Sequence, residues 1–232
     1  MRIEGSAALV TGANRGLGRR LAEELLARGA KVYAGARDPG SVDLAGVTPI
    51  ALDITDPASV AAAADATGDV SLLINNAGSS TGAGLLDGSL ADIELEMNTH
   101  FFGTLAMTRA FAPQLARAGG GAILNVLSVL SWVSLPGAGA YCAAKSAEWS
   151  LTNATRVQLA GQNTQVTALH VGYMNTDMAR HVTSAKLDPA LVAKLALDGV
   201  VAGQPEVLAD ELSQQVQRGL AGGVAALYPQ LA

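Results

Sequence analysis

Short apolar runs alternate with longer stretches of helical spacing along most of the chain. The apolar runs predict buried strands at residues 6–10, 31–35, 47–52, 70–74, 122–127 and 165–171. Segments between them, such as 18–28 and 56–66, carry helix-forming residues. This alternation is typical of βαβ units, in which parallel strands are covered by helices on both faces. We therefore predict an α/β protein of one domain, residues 1–232, with a doubly wound parallel sheet of about seven strands.

The second half of the chain is less regular. Two longer helices, near 101–115 and 147–157, each keep one apolar or small-residue face. Strand and helix patterns weaken over residues 172–203, which we expect to form a substrate loop or flap. A helix over 206–220 and a last strand over 224–228 are predicted to complete the fold.

Composition narrows the classes of partner. The net charge is −5, and no Lys/Arg cluster is present, which argues against nucleic acid. No apolar run is long enough to cross a bilayer, and Cys142, the single cysteine, has no partner for an internal disulfide. The amino terminus lacks a signal-peptide pattern, so we expect a cytoplasmic protein. No metal site is predicted.

A glycine-rich segment follows the first predicted strand and opens a helix. Glycines at this point allow a tight turn and let backbone N–H groups approach a pyrophosphate, while the helix amino terminus favours negative charge. A simple strand-to-helix turn is the alternative, because a glycine cluster alone is a weak signal. The predicted cofactor-binding residues here are Gly12, Asn14, Arg15, Gly16, Leu17 and Gly18.

The end of the second strand indicates which dinucleotide binds. An arginine at this place meets a 2′-phosphate, whereas an acidic residue accepts hydrogen bonds from a ribose hydroxyl. Arg37 comes first and Asp38 follows, while Arg15 offers a second cation, so NADPH/NADP+ is favoured over NADH. Two alternatives stay open: the arginines are solvated surface residues, or Asp38 faces the ribose and reverses the preference.

Two further strand ends supply candidate cofactor contacts. Asp53, followed by Ile54, is placed to accept a hydrogen bond from an adenine amino group, although it could instead cap the next helix. Asn76, Ala77 and Gly78 end the fourth strand, where they are predicted to lie against the nicotinamide half of the cofactor.

Tyr141 and Lys145 are four residues apart, so they share one face of a predicted helix. Ser128 ends the fifth strand, at the sheet edge where ligands of open α/β folds bind. Reducing a carbonyl requires a proton donor, and tyrosine serves if a nearby ammonium lowers its pKa from about 10. We predict Tyr141 as the acid/base, Lys145 as the group that lowers the pKa of Tyr141 and binds the ribose, and Ser128 as the residue that orients the carbonyl.

Taken together, the glycine motif after Thr11, Asn75 to Gly78, Ser128, Tyr141 and Lys145 resemble the short-chain dehydrogenase/reductase family, with its Rossmann fold. By this resemblance Asn98 is the family's helix asparagine, which anchors a proton relay beside the lysine. It also assigns Gly172, Met174 and Thr176 to the nicotinamide end of the cofactor. The chain departs from the family at Val171, where a proline is usual, and in its carboxyl-terminal sequence.

The predicted function is hydride transfer between NADPH and a carbonyl or secondary alcohol, as in carbonyl reductases. A catalytically silent protein that senses NADPH on the same fold is the alternative, and non-redox chemistry such as dehalogenation is a weaker one. We expect a homodimer or homotetramer formed through the two long helices. Apolar and aromatic residues are expected to line a hydrophobic substrate pocket, although each could equally belong to the core: Trp132, Leu135 and Tyr173.

Overall fold

A computed structural model describes residues 1–231. Its seven strands are β1 (Ala7–Thr11), β2 (Lys31–Ala36), β3 (Thr48–Ala51), β4 (Leu72–Asn75), β5 (Gly121–Val126), β6 (Thr164–His170) and β7 (Glu206–Leu208). They form a single parallel sheet in the order β3-β2-β1-β4-β5-β6-β7. This arrangement confirms the predicted doubly wound α/β fold, and it is a Rossmann-type topology.

Helices connect successive strands and cover both faces of the sheet. The α-helices are α1 (Gly16–Ala27), α2 (Pro57–Ala66), α3 (Leu90–Met97), α4 (Thr104–Arg117), α5 (Gly139–Leu159), α6 (Pro189–Ala202), α7 (Glu211–Gly219) and α8 (Gly223–Leu227). The longest helix, α5, follows β5, and a π-helical segment, Asn98–Gly103, joins α3 to α4.

Two apolar layers hold the sheet between the helices. On one face, Leu21 and Leu25 of α1 and Leu197 of α6 pack against β1, β4 and β5. On the other face, Phe111 and Leu115 of α4 pack against the opposite side of the same strands. Because both faces are buried, these central strands carry near-continuous apolar runs rather than alternating ones.

Strand order reverses between β1 and β4, and this reversal fixes where a ligand can bind. The connection after β1 leads to one side of the sheet and the connection after β4 to the other, so the carboxyl ends of β1 and β4 border a crevice. The glycine segment follows β1, Asn76 follows β4, and Ser128 comes two residues after β5. The predicted site residues therefore reach one edge of the sheet.

Part of the region predicted as a flap is a core helix instead. Residues 172–188 form a loop with a short 3-10 helix, Asp177–Ala179, as expected. Residues from Pro189 onward form α6, whose Val192, Leu197 and Val200 are fully buried against the sheet. Alanine and glycine between these side chains obscured the helical pattern, although Asp188 caps the helix from its side chain.

The predicted last strand is also wrong. Residues 224–228 lie mostly in the short helix α8, and the seventh strand is Glu206–Leu208, inside the segment predicted as helix. Because β7 has only three residues, its apolar run was too short to detect. Within residues 1–231, no helix combines the length and apolarity needed to span a membrane.

Replacement of Leu197 tests whether α6 is part of the core. Leu197→Ala removes a fully buried side chain, so the free energy of unfolding should fall by about 2–5 kcal/mol in denaturant titrations. Leu191→Ala, on the same helix but 48% exposed, is the matched control and should change it by less than about 1 kcal/mol. Equal effects of the two variants would contradict a core role for α6.

Candidate active site

The glycine segment between β1 and α1 has the geometry of a phosphate-binding turn. Gly12 and Gly16 have φ angles of +65° and +55°, which side chains other than glycine rarely adopt. A Cβ on Gly18 would lie 2.1 Å from the Gly12 carbonyl oxygen, so this position admits only glycine. No side chain caps the amino terminus of α1. Its free N–H groups and positive end fit an anionic group such as a pyrophosphate.

The end of β4 holds this turn in place. The Asn76 side-chain amide donates to the carbonyls of Thr11 and Gly12, at 2.8 and 3.2 Å. In return the Thr11 hydroxyl accepts from the backbone N–H groups of Asn76 and Ala77, both at 2.9 Å. The Asn76 side-chain nitrogen therefore holds the glycine segment against the end of β4.

The structure separates the roles of the charged residues near β2. Asp38 caps a short 3-10 helix by accepting from the Gly40 N–H at 2.9 Å. Arg37 is exposed, and within residues 1–231 no carboxylate lies within ion-pair distance of it. Arg15 points elsewhere, because its guanidinium lies 3.5 Å from the carboxylate of Asp177. A second contact across this edge joins Asn14 to Ser41, at 3.1 Å.

Residues after β3 have mixed roles. Asp53 accepts two hydrogen bonds from Thr55, from its hydroxyl and its N–H, and these hold the pKa of the Asp53 carboxyl below its usual range. Asp56, not Asp53, caps α2. The side chains of Leu17 and Ile54 are buried in the core, so only their backbone groups are available to a ligand.

Gly172, Met174 and Thr176 lie in the loop after β6, as predicted. The Gly172 N–H donates to the carboxylate of Asp210, which also caps α7. The Thr176 methyl would be 3.5 Å from a Cβ on Gly16, so this loop closes against the glycine segment. Thr176 thus borders the glycine segment.

Ser128 is fixed at the carboxyl end of β5. It begins the short 3-10 helix Val129–Ser131, and its hydroxyl accepts from the Leu130 N–H at 3.1 Å. The Ser131 hydroxyl in turn accepts a hydrogen bond from the Ser128 N–H. This pair of caps turns the chain sharply after the strand and leaves the Ser128 side chain near Tyr141.

Tyr141 and Lys145 lie in the first two turns of α5, with the ammonium nitrogen 5.9 Å from the centre of the phenol ring. Lys145 is 4% exposed and donates to the Val126 carbonyl and to a Glu148 carboxylate oxygen, both at 2.7 Å. Burial lowers the pKa of Lys145, but the charge and hydrogen bond of Glu148, together with the charges of Tyr141 and Glu96, outweigh it and the net direction is upward. The ammonium is therefore charged and firmly held.

The direction of the Tyr141 pKa differs from the sequence-based expectation. Burial raises the pKa of the phenol, and the Glu148 carboxylate raises it further. Lys145 lowers the pKa as predicted, and the Ser128 side chain lowers it too, but together they do not overcome the burial. The net pKa of Tyr141 is above its usual value, because burial and the neighbouring carboxylates together outweigh the lysine.

Asn98 does not join this group. It is exposed at the start of the π-helical segment, and His100, two residues on, is buried at the position next to Tyr141. The His100 and Tyr141 rings meet edge to face with centroids 5.2 Å apart. His100 also fixes the strand end, since a Cβ on Gly78 would be 2.9 Å from its ring. A relay role for Asn98 is not supported by this placement.

Three buried groups beside the pair were missed from the sequence: Glu96, His100 and Glu148. Glu96 binds Ser79, the Thr81 N–H and His100. Burial raises the pKa of Glu96, but these hydrogen bonds outweigh it and lower the pKa to about 2. Glu96 and His100 are four residues apart, and Lys145 and Glu148 three apart, so helical spacing was an available signal.

The predicted substrate residues separate into pocket and core. Leu135 lines a cavity of about 370 Å³ together with Leu85, Pro136, Tyr228 and Leu231. The Tyr228 hydroxyl accepts from the Ser134 N–H at 2.7 Å, so the carboxyl-terminal segment closes one side. Trp132 stacks on His170 with ring centroids 3.7 Å apart and belongs to the core, while Tyr173 is 40% exposed on the loop after β6.

Comparison with known proteins places the chain in a family. The short chain dehydrogenase profile matches residues 6–187. The NADPH carbonyl reductase 2 of Sus scrofa is 32% identical over 84% of this chain and 81% of its own. The chain belongs to the short-chain dehydrogenase/reductase family of oxidoreductases.

Two solved structures extend the likeness to cofactor-bound relatives. A short chain dehydrogenase of Burkholderia cenocepacia in complex with NADP is 40% identical, covers 100% of this chain and 99% of its own, and superposes with a TM-score of 0.95. A Burkholderia phymatum relative in complex with NAD is 26% identical over 95% of both chains, with a TM-score of 0.86. Relatives therefore bind either dinucleotide.

Gly18→Ala tests the role of the glycine segment. The added Cβ would overlap the Gly12 carbonyl, so dinucleotide affinity measured by fluorescence titration should fall at least about tenfold. Gly68→Ala is the control, because a Cβ there meets nothing within 4 Å. Unchanged affinity in a folded Gly18→Ala protein would rule out a pyrophosphate at this turn.

Proposed function

We propose that this protein is an NADPH-preferring reductase of hydrophobic ketones or aldehydes, which also oxidises the corresponding secondary alcohols. The observation that carries the proposal is the meeting of Ser128, Tyr141 and Lys145 at the carboxyl end of β5, next to the glycine segment. Membership of the family supports the same reaction class.

The three side chains divide the proton chemistry. When bound, the dinucleotide supplies or accepts the hydride. Ser128 donates a hydrogen bond to the carbonyl oxygen and orients it, and the Tyr141 hydroxyl gives that oxygen its proton as charge develops. In the reverse direction, the Tyr141 oxygen takes the proton from the alcohol. Lys145 stabilises the tyrosinate by its charge, and its remaining N–H is available to a ribose hydroxyl.

Residues near β2 support NADPH rather than NADH. The Asp38 carboxylate is engaged by the Gly40 N–H, and Arg37 is exposed without an ion-pair partner in residues 1–231. An exposed guanidinium at this strand end suits a 2′-phosphate, which it can bind through two parallel hydrogen bonds. Arg15 contributes less than we expected, because it faces Asp177 in the loop after β6.

The cavity beside α5 supports an apolar substrate. Its walls are mainly aliphatic, with Leu85, Leu135 and Leu231 among them. Gly139, which begins α5 two residues before Tyr141, also lines the cavity, and we propose that the apolar body of the substrate occupies it. Such a cavity favours a ketone or aldehyde with an apolar body and a single polar head.

Assembly through the two long helices remains part of the proposal. The side chains of Phe102, in the π-helical segment, and Val157, on α5, are 53% and 77% exposed. Large apolar side chains at these places suit a helix-to-helix contact between copies of the chain. We propose a homodimer or a homotetramer on this basis.

Tyr141→Phe tests the mechanism. It removes the acid/base hydroxyl and keeps the ring, so turnover of the best carbonyl substrate should fall by about 10³-fold or more, with NADPH affinity changed less than threefold. Tyr33→Phe, in β2, is the control and should retain activity. Both are measured by NADPH oxidation over a panel of ketones and aldehydes.

Two results of this experiment would count against the proposal. Retained turnover in Tyr141→Phe would remove Tyr141 from the mechanism. Tight NADPH binding without turnover of any substrate in the panel by the unmodified protein would instead favour the sensing alternative.

Arg37→Ala tests the cofactor preference. Loss of the guanidinium should raise the KM for NADPH about tenfold or more, and should change the KM for NADH less than threefold, since NADH lacks the 2′-phosphate. Arg117→Ala, an exposed arginine at the end of α4, is the control. An unmodified protein that prefers NADH by tenfold would contradict the proposed role of Arg37.

A further inference from the structure

A buried carboxylate lies directly behind the Tyr141–Lys145 pair. Glu148 is 2% exposed and sits one turn after Lys145 on α5. One of its oxygens accepts from the Lys145 ammonium at 2.7 Å, and the other accepts from the Thr104 hydroxyl at 3.0 Å. Both oxygens are therefore partnered inside the protein.

Glu148 determines where the Lys145 ammonium can point. An ammonium has three N–H groups, and two of them are taken by Glu148 and by the Val126 carbonyl. These two partners anchor the nitrogen to α5 and to β5 at once. The third N–H has no hydrogen-bond partner within residues 1–231 and is left for a ligand, so two of the three hydrogen-bond directions of the ammonium are set before any ligand binds.

Packing alone does not account for this carboxylate. A buried ion pair gains little stability over apolar side chains of similar size, because both charges must leave water. The surrounding positions on α5 are occupied by small or uncharged residues, such as Ala144 and Thr152. An acid at this point is therefore better explained by its effect on neighbouring charges than by its contribution to the core.

The charged and titratable groups around Tyr141 come from several elements. Lys145 and Glu148 share α5 with it, Glu96 comes from α3, and His100 comes from the π-helical segment. His100 lies 3.2 Å from Glu96 and 3.8 Å from the Glu148 oxygen that binds Lys145. Ser128, which is uncharged, completes the surroundings at the end of β5.

We propose that Glu148 is a positioning residue of the Tyr141–Lys145 pair, which fixes the ammonium and, by its negative charge, raises the pH range in which the pair releases a proton. This inference rests on the proposed function for its catalytic consequence, since only the form that has lost a proton can accept one from an alcohol substrate. The charge effect itself concerns the protein without substrate.

The direction of the effect does not depend on which residue loses the proton. Tyr141 and Lys145 are close enough to titrate as a pair, so the first proton belongs to both. A carboxylate beside them favours the more positive, fully protonated form. The upward pKa shifts of both Tyr141 and Lys145, each with a contribution from Glu148, agree with this direction. Removing the charge should therefore make the first proton leave at lower pH.

Glu148→Gln keeps the shape of the side chain and a carbonyl oxygen for Lys145. The near-ultraviolet absorbance of tyrosinate is followed against pH, and subtraction of the same curve for a Tyr141→Phe background isolates Tyr141. Ionisation of Tyr141 should move at least about one pH unit lower in Glu148→Gln. Glu148→Asp, which retains the charge, should remain within about half a unit of the unmodified protein.

Glu206→Gln is a matched control for loss of a partly buried carboxylate. Glu206 is the first residue of β7, and its carboxylate lies 3.7 Å from the His170 ring. It does not contact Tyr141 or Lys145, so its replacement should leave the Tyr141 titration unchanged. An unchanged or upward shift in Glu148→Gln would overturn the proposal. If Glu148→Gln does not fold, Glu148→Met, which removes the same charge, is titrated in its place, and an unchanged or upward shift there would equally overturn the proposal.

Turnover gives the second measurement. In the alcohol-oxidation direction, the acidic limb of the kcat profile should move to lower pH in Glu148→Gln by the same interval as the absorbance titration. A shift in absorbance without any turnover in the unmodified protein would uphold the role of Glu148 and refute the proposed reaction. If the protein turns over substrate but Glu148→Gln does not move the acidic limb, the proposed reaction is upheld and the role of Glu148 is refuted.

Discussion

The buried Lys145 ammonium is the charge around which the candidate active site is built. It can remain charged out of water only because the Val126 carbonyl and the Glu148 carboxylate both accept from it. These contacts join the end of β5 to α5 and so determine where Tyr141 stands relative to Ser128. The crevice at the strand reversal then places this group beside the glycine segment. Sheet topology and one ion pair together define the site.

Polar groups elsewhere at this edge serve the same end by immobilising backbone. Asn76 and Thr11 exchange hydrogen bonds across β1 and β4, and Asn75, Asn125 and Thr152 continue the network from β4 to α5. Burying such groups alone would be costly, and most of them are paired here, although the Asn75 side-chain oxygen has no hydrogen-bond partner within residues 1–231. The carboxyl ends of β1, β4 and β5 are thereby held in fixed positions before a ligand arrives. This suits a site whose chemistry needs fixed distances.

The sequence predicted the parallel sheet, the glycine segment and the Ser128, Tyr141 and Lys145 set, because buried strands and helical spacing are local patterns. It failed where tertiary packing decides. The three-residue strand β7 and the Ala-rich helix α6 take their stability from neighbours. Burial of Glu148 was not predicted although Lys145 lies three residues before it, since the second partner, Thr104, is 44 residues away in sequence and meets Glu148 only in the folded chain.

The π-helical segment between α3 and α4 also decides which polar side chain meets the phenol. A π turn holds one more residue than an α turn. One extra residue turns the preceding part of the helix by about 100° relative to the following part. Within this segment His100 is buried against the Tyr141 ring, whereas Asn98 is exposed. The side chain next to the phenol is therefore an imidazole and not an amide.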